Sequence, residues 1–195
     1  MPTISGNCSR LNGEHVAGEP GWLLVRVERT AFPGLLILEP RVFSDQRGYF
    51  LESWNEARYR EAGIDATFRQ DNRSFSDANV LRGLHFTRRR PQAQIVWVVE
   101  GRIFDVVVDL RRGSPNFGQW FGRVLSAERQ QQLYMPPGFA HGFCVLGAQA
   151  AEHYKCIELY DPADEGGLLW RDRSLAIADA GVELASRCRG SHLWA

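Results

Sequence analysis

Nothing in the chain approaches the run of roughly 20 apolar residues that a membrane span requires, and the N-terminus lacks the basic-then-apolar order of a secretory signal. A cytoplasmic protein with no membrane partner is the expectation. An excess of charge is missing too. Lys and Arg together number 23, and so do Asp and Glu, so no global field draws the protein to nucleic acid and any anion site must be local. Cysteine is sparse: Cys8, Cys144, Cys156 and Cys188 show neither the C-x-x-C spacing of a zinc module nor the density of a disulfide scaffold. They read as reduced thiols. Repeats, low-complexity tracts and interdomain linkers are likewise absent from the sequence, and 195 residues suit one compact domain.

What is present is a series of short β-branched and aromatic runs between turn signals. They fall at residues 35–38, 49–54, 67–72, 80–86, 94–99, 103–110, 119–125, 132–135, 139–146 and 153–160. This spacing predicts an all-β fold, an antiparallel barrel or sandwich with a few short helices. One helix is expected at residues 55–62, opened by a capping Asn55 and closed before Gly63. Residues 1–30, rich in Gly, Ser, Asn and Glu, read as an N-terminal extension to a domain spanning 31–195. Between residues 103 and 110, alternation sets Ile103, Asp105, Val107 and Asp109 against a wholly apolar face of Phe104, Val106, Val108 and Leu110. That pattern suits a strand whose mixed face lines a lumen holding polar ligand groups, with its apolar face packed on a further layer.

Chemistry can be sought among five histidines. Pro136-Pro137-Gly138-Phe139-Ala140-His141 fits the P-x-G-x-x-H pattern of a cupin barrel, in which a Pro-Gly turn aims the histidine inward. The other half of a metal-binding cupin pattern needs two closely spaced histidines and a Glu, whereas His85-Phe86-Thr87 supplies one histidine. Two histidines without a third ligand make a poor metal centre, so no metal is expected. An unmetallated histidine with a pKa near 6.5 suits acid–base work. The competing reading is a structural histidine bonded to backbone. Tyr154 is a candidate general acid, since a phenol with a pKa of about 10 holds its proton until a carbanion claims it; a core tyrosine with a satisfied hydroxyl is the plainer alternative. Strand alternation sends His153 and Tyr154 to opposite faces. Arg82 could bind phosphate through its fork of donors, and Arg88-Arg89-Arg90 reads first as a solvated charge run and second as a phosphate-steering rim.

Taken in order, Arg47-Gly48-Tyr49-Phe50-Leu51-Glu52, Gln70-Asp71-Asn72, Leu81-Arg82-Gly83-Leu84-His85-Phe86, Ile103-Phe104-Asp105-Val106, Ser114-Pro115-Asn116-Phe117-Gly118, Leu125-Ser126-Ala127-Glu128, residues 138–143 and Tyr154-Lys155-Cys156 resemble the dTDP-4-dehydrorhamnose 3,5-epimerase family. The resemblance runs over residues 32–177. It implies a homodimeric, cupin-like β-barrel or jelly roll that epimerises dTDP-4-keto-6-deoxyhexoses without a cofactor. It also assigns roles. His85 becomes the base that removes the proton next to the C4 ketone, and Tyr154 the acid that returns one from the other face. Arg82, Gln70 and His141 fall where the family contacts pyrophosphate, and Asn72 and Tyr160 line the nucleotide pocket. Arg47, Phe50 and Glu52 belong to a swapped N-terminal segment that closes over the partner's nucleotide.

Three positions depart from the family. Gln94 stands where a lysine stabilises the enolate oxygen. Cys188 aligns with the aspartate that orients the catalytic histidine, which leaves Asp105 as a candidate substitute. Leu159 replaces a tyrosine beside Tyr160. Changes around the sugar with a nearly intact nucleotide set imply altered sugar chemistry, such as epimerisation at C3 alone. The full 3,5-epimerase, a dTDP-sugar 3,4-ketoisomerase, an inactive sugar-nucleotide-binding cupin and a metal-dependent cupin are the other readings.

Overall fold

The structure, a computed structural model, describes residues 24–177. Eleven strands and one helix follow in the order β1 (Val25–Arg29), β2 (Leu36–Pro40), β3 (Val42–Asp45), β4 (Gly48–Leu51), α1 (Glu56–Glu61), β5 (Gln70–Asp77), β6 (Leu81–Thr87), β7 (Gln94–Asp109), β8 (Trp120–Ser126), β9 (Gln132–Met135), β10 (Phe139–Cys156) and β11 (Glu165–Gly167). All pairings are antiparallel. The expected cupin-like β-barrel is what the chain forms, with a single short 3-10 turn at Pro162–Asp164 beside the helix. Val25, ahead of residue 31, is already in the sheet, because β1 pairs with β2. The rest of the expected N-terminal extension, with His15, His192, Cys8 and Cys188, lies outside the described residues.

Two long strands build the barrel. The first half of β7 pairs with β9 and the second half with β8, while β10 runs alongside β7 through both halves. In its N-terminal half β10 also pairs with β6, and in its C-terminal half with β5. Two half-sheets therefore face each other and share β7 and β10. The expected strands at 94–99 and 103–110 are one bent strand, as are those at 139–146 and 153–160. Gly101, at φ +72°, sits at the bend of β7 against the stretch where the pairing of β10 shifts register between Val145 and Ala150.

The bends reverse which alternate residues point inward. Val96 and Val98, then Ile103 and Val107, join one buried cluster with Phe139, Phe143, Val145 and Ala150. Even-numbered residues of β7 thus face the lumen before Gly101 and odd-numbered residues after it. The same reversal on β10 lets His141 and Glu152 share a face. Outside the barrel, Phe104, Val106 and Val108 pack with Leu84, Ala140 and Trp170. The apolar face expected for residues 104–110 is covered by this layer.

Helix α1 closes the opposite exterior. Asn55 caps it through Oδ1, which accepts from the Arg58 amide at 3.3 Å, and Gly63 at φ +95° ends it. Its one buried side chain, Tyr59, packs with Leu36, Leu38, Ile64, Ile95 and Tyr134. The Tyr59 hydroxyl lies 2.8 Å from Gln132 Oε1 and 3.0 Å from the Ser53 carbonyl. Burial drives that phenol's pKa upward.

Both described cysteines lie buried on β10. Cys156 is a free thiol, but Cys144 is disulfide-bonded. The expectation of reduced cysteines fails at Cys144, since separation along the sequence does not limit which thiols folding brings within bridging distance.

Candidate active site

A cavity of about 810 Å³ opens inside the barrel. Its wall carries His85, Tyr154, Gln94, Gln70, Asn72, Arg82, His141 and Tyr160, which gathers eight of the residues singled out in the sequence. β5 sends Gln70, Asn72 and Ser74 inward at every second position. β6 does something alternation forbids, since Arg82 and His85 are three residues apart and both line the cavity. The cause is a bulge. His85 pairs with His141 but Arg82 pairs with Phe143, so β6 spends one residue more than β10 over that span.

Gly83 makes the bulge possible. It adopts φ +109°, and a Cβ there would lie 2.5 Å from the Gly142 Cα and 2.6 Å from the His141 carbonyl oxygen. Gly83→Ala combines left-handed strain with a backbone collision, so the variant is expected to lose at least ~2 kcal/mol of stability. The midpoint of denaturant unfolding measures this, and an unchanged midpoint would show that β6 can back away from β10.

His85 comes from the half of the barrel that β6 and β11 close. Its Nδ1 lies 3.2 Å from Glu165 Oε1, off the direction of a hydrogen bond, and neither ring nitrogen has a hydrogen-bond partner among the described residues. Burial lowers the His85 pKa, Glu165 opposes that, and the charges of His141 and Arg82 add to the lowering. The ring is thereby kept neutral near pH 7, the form a base needs.

Tyr154 stands on the far half of β10, and its outward neighbour His153 packs against Trp97 with the rings tilted and 5.7 Å between centroids. The expectation that the two part to opposite faces holds. Burial, aided by Glu152, pushes the Tyr154 phenol up to about 12, so it stays protonated and can serve as an acid.

Asp105 takes a different place from the one the sequence suggested. Its Oδ2 lies 2.9 Å from His141 Nε2, not beside His85, because β10 runs between β7 and β6. Glu152 joins them, and the three offer ligand-type atoms within 4.8 Å of one another. The count of two histidines without a third ligand overlooked these carboxylates, which strand pairing brings in from residues far apart in sequence. Burial works against a charged His141, but attraction and a hydrogen bond from Asp105, with Glu152 behind, raise its pKa overall. Burial raises Glu152 to about 7, and Asp105 adds to this while His141 and the Ser74 hydroxyl oppose it. The balance favours the charged form of the imidazole, held by acid groups and turned toward the cavity.

At the third wall, Gln94 Nε2 donates to Gln92 Oε1 at 3.2 Å and lies 3.8 Å from the Cys156 sulfur, while Gln94 Oε1 is buried without a partner among the described residues. Burial pushes the Cys156 thiol up to about 12. Gln70 Nε2 donates to Asn72 Oδ1 at 2.9 Å and Gln70 Oε1 accepts from the Tyr160 amide at 2.9 Å. Arg82 donates from Nε to Ser76 Oγ at 2.9 Å. Within the arginine run, Arg89 and Arg90 bind Asp161 and Asp164, and Arg88 lines the cavity.

Arg47, Phe50 and Glu52 lie outside the cavity of their own chain. The β3–β4 hairpin that carries Arg47 and Phe50 stands apart from the main sheet. Arg47 pairs with Asp45, Glu52 binds Arg58 at 2.6 Å, and Phe50 is 69% exposed. Glu165 is the residue that sequence reasoning missed. A three-residue strand containing two glycines carries little β signal, and only the pairing of Gly167 with His85 reveals its position.

A neutral histidine and a protonated tyrosine face one cavity of a cupin-like barrel, whose wall also carries Arg82, Arg88, Arg112 and His141, an arrangement that suits acid–base chemistry. Comparison with known proteins narrows the class. The family model for dTDP-4-dehydrorhamnose 3,5-epimerase matches residues 29–191, and the chain belongs to that family. It is 50% identical over 153 residues to the dTDP-4-dehydrorhamnose 3,5-epimerase of Salmonella typhimurium, covering 77% of this chain and 84% of that protein. Among solved structures it is similar to the dTDP-6-deoxy-D-glucose-3,5-epimerase of Legionella pneumophila in complex with dTDP-4-keto-L-rhamnose, at 46% identity and a TM-score of 0.77, covering 78% of this chain and 82% of that one. A 3'-monoepimerase of Streptomyces bikiniensis in complex with dTDP-quinovose shares 35% identity at a TM-score of 0.73, covering 79% of each chain.

Proposed function

We propose that the protein is an epimerase of dTDP-4-keto-6-deoxyhexoses that inverts C3, with inversion at C5 slow or absent. The observation that carries this reading is the placement of His85 and Tyr154 on the two halves of one cavity, the first kept neutral and the second kept protonated. His85 removes the C3 proton, made acidic by the adjacent C4 ketone. The enolate forms with its oxygen toward Gln94, and Tyr154 donates a proton to C3 from the opposite side. One bond to hydrogen breaks and another forms, with no net change of oxidation state. Arg82, Gln70 and His141 bind the diphosphate, and Asn72 and Tyr160 the nucleotide. The His141 imidazole, tied to Asp105 and favoured in its charged form, acts as an anion donor, and the reaction needs no metal or cofactor because the proton moves between side chains and carbon.

The protein works as a homodimer in the cytoplasm. The projecting hairpin places Arg47 and Phe50, with Glu52 beyond it, over the partner's nucleotide, which accounts for their distance from their own cavity. Gln94 supports slower enolisation overall, which leaves the second inversion, at C5, as the one more readily lost. A neutral amide stabilises an enolate less than an ammonium does, and the loss of one oxyanion donor is worth roughly 3 kcal/mol. Gln94→Lys is therefore expected to raise kcat about 10-fold or more and to bring in exchange at C5. A fall in kcat would mean that the amide has its own partner on the sugar. The reading itself is tested by incubating dTDP-4-keto-6-deoxyglucose with the enzyme in heavy water and locating deuterium by NMR. Incorporation at C3 with little at C5 is expected; full, rapid incorporation at both carbons would defeat the single-centre version.

A further inference from the structure

We propose that Glu165 is the positioning residue for His85, holding the imidazole with its proton on Nδ1 so that Nε2 is the nitrogen that takes the substrate proton. The inference rests on the reading of His85 as the base. Glu165 reaches the ring because β11 pairs with β6, placing Glu165 opposite Thr87 and Gly167 opposite His85. Its two oxygens are divided between two cavity residues. Oε1 lies 3.2 Å from His85 Nδ1, and Oε2 accepts from the Tyr160 hydroxyl at 3.4 Å. The carboxylate side chain is only 17% exposed and the His85 side chain 24%, so water screens the pair poorly.

The 3.2 Å contact is off-axis rather than long, and catalytic hydrogen bonds of this kind commonly tighten once substrate closes the site. Of the other carboxylates at or beside the cavity, Asp105 is committed to His141, Glu152 accepts from the Ser74 hydroxyl, and Asp161 pairs with Arg90; Cys188 lies outside the described residues. Glu165 also has a use beyond orientation. The charged groups facing His85 are Glu165 from β11, His141 from β10 and Arg82 from its own strand. Two of the three are cationic when charged, so among these described groups Glu165 is the one that stabilises the imidazolium formed when the base takes a proton.

Glu165→Gln keeps the shape and removes the charge. It is expected to lower kcat at least ~10-fold while KM changes by no more than about 3-fold. Because the carboxylate raises the His85 pKa, its removal should also move the acidic limb of the kcat/KM profile to lower pH, a shift that a purely structural loss would not produce. Glu165→Asp should recover part of the rate. An unchanged kcat, or a lowered kcat with an unmoved acidic limb, overturns the proposal.

A second measurement needs no folded variant at position 165. In 15N-histidine-labelled wild-type protein, with the His85 signals assigned by their loss in His85→Asn, the neutral ring is expected as the Nδ1-protonated tautomer. A dominant Nε2-protonated form overturns the proposal. If wild-type protein instead shows this tautomer but moves no proton on the dTDP-sugar, the failure belongs to the epimerase reading and not to the role of Glu165 in holding the ring.

Discussion

His85→Asn is expected to abolish turnover, lowering kcat by ~10²–10⁴, and to stop deuterium entering C3, while dTDP affinity stays within about 3-fold. Asparagine preserves a polar side chain of similar reach but cannot accept a proton at neutral pH. The diphosphate and nucleotide contacts proposed for Arg82, Gln70, His141 and Asn72 do not pass through His85, so binding should survive. Isothermal titration with dTDP and NMR of the sugar protons make the comparison. Continued exchange at the wild-type rate would mean that another group removes the proton, and Glu165 or Glu152 would then be the place to look. A protein that merely binds the sugar nucleotide would show no exchange for the substitution to remove.

Tyr154→Phe separates the two halves of the reaction. The ring stays, with its packing against the interior cluster, and only the hydroxyl is lost. Since His85 can remove a proton and return it to the same face, wash-in of deuterium at C3 is expected to continue. Net inversion should fall by ~10²–10⁴ because the opposite face has lost its acid. The phenol's pKa of about 12 makes the point sharper. It remains a full proton donor across the working range, so the defect should not be relieved by changing pH between roughly 6 and 9, well below that value. If the variant inverts C3 normally, a solvent molecule or another acid supplies the proton, and Tyr154 is a wall residue.

Which parts of this arrangement were legible in the sequence follows from how far apart the interacting residues lie. The helix at Glu56–Glu61 was written locally, in Asn55 before it and Gly63 after it, and its bounds were anticipated within one residue at each end. Strand faces were legible wherever strict alternation held, as between Ile103 and Val108 or at His153 and Tyr154. They were not legible across Gly101 or Gly83, where a bend and a bulge change the phase of alternation. The inward turn of both Arg82 and His85 depends on that change. β3 was missed because its four residues are all exposed, and β1, although Val25 and Val27 alternate with Arg26 and Glu28, because the stretch reads as part of the N-terminal extension.

The site shows the same division. His85, Tyr154 and Gln94, with Gln70, Asn72, Arg82, His141 and Tyr160, could be named from the resemblance, and the fold brings them to one cavity. The grouping of Asp105, His141 and Glu152 could not, since it depends on β10 pairing along its whole length with β7. Nor could the carboxylate beside His85. Sequence reasoning looked for it near Cys188 or at Asp105, whereas a three-residue edge strand delivers Glu165. Carboxylates that tune a base are set by long-range pairing and leave no periodic signal of their own.

The central claim is that this barrel inverts a carbon next to a ketone, and identification of the product tests it most directly. Wild-type enzyme is incubated with dTDP-4-keto-6-deoxyglucose, and the ring couplings of the accumulating sugar nucleotide are read by proton NMR. A 4-keto product with inverted configuration at C3 is the predicted result. A product whose ketone has moved to C3, or unaltered substrate held tightly by the protein, would contradict the account.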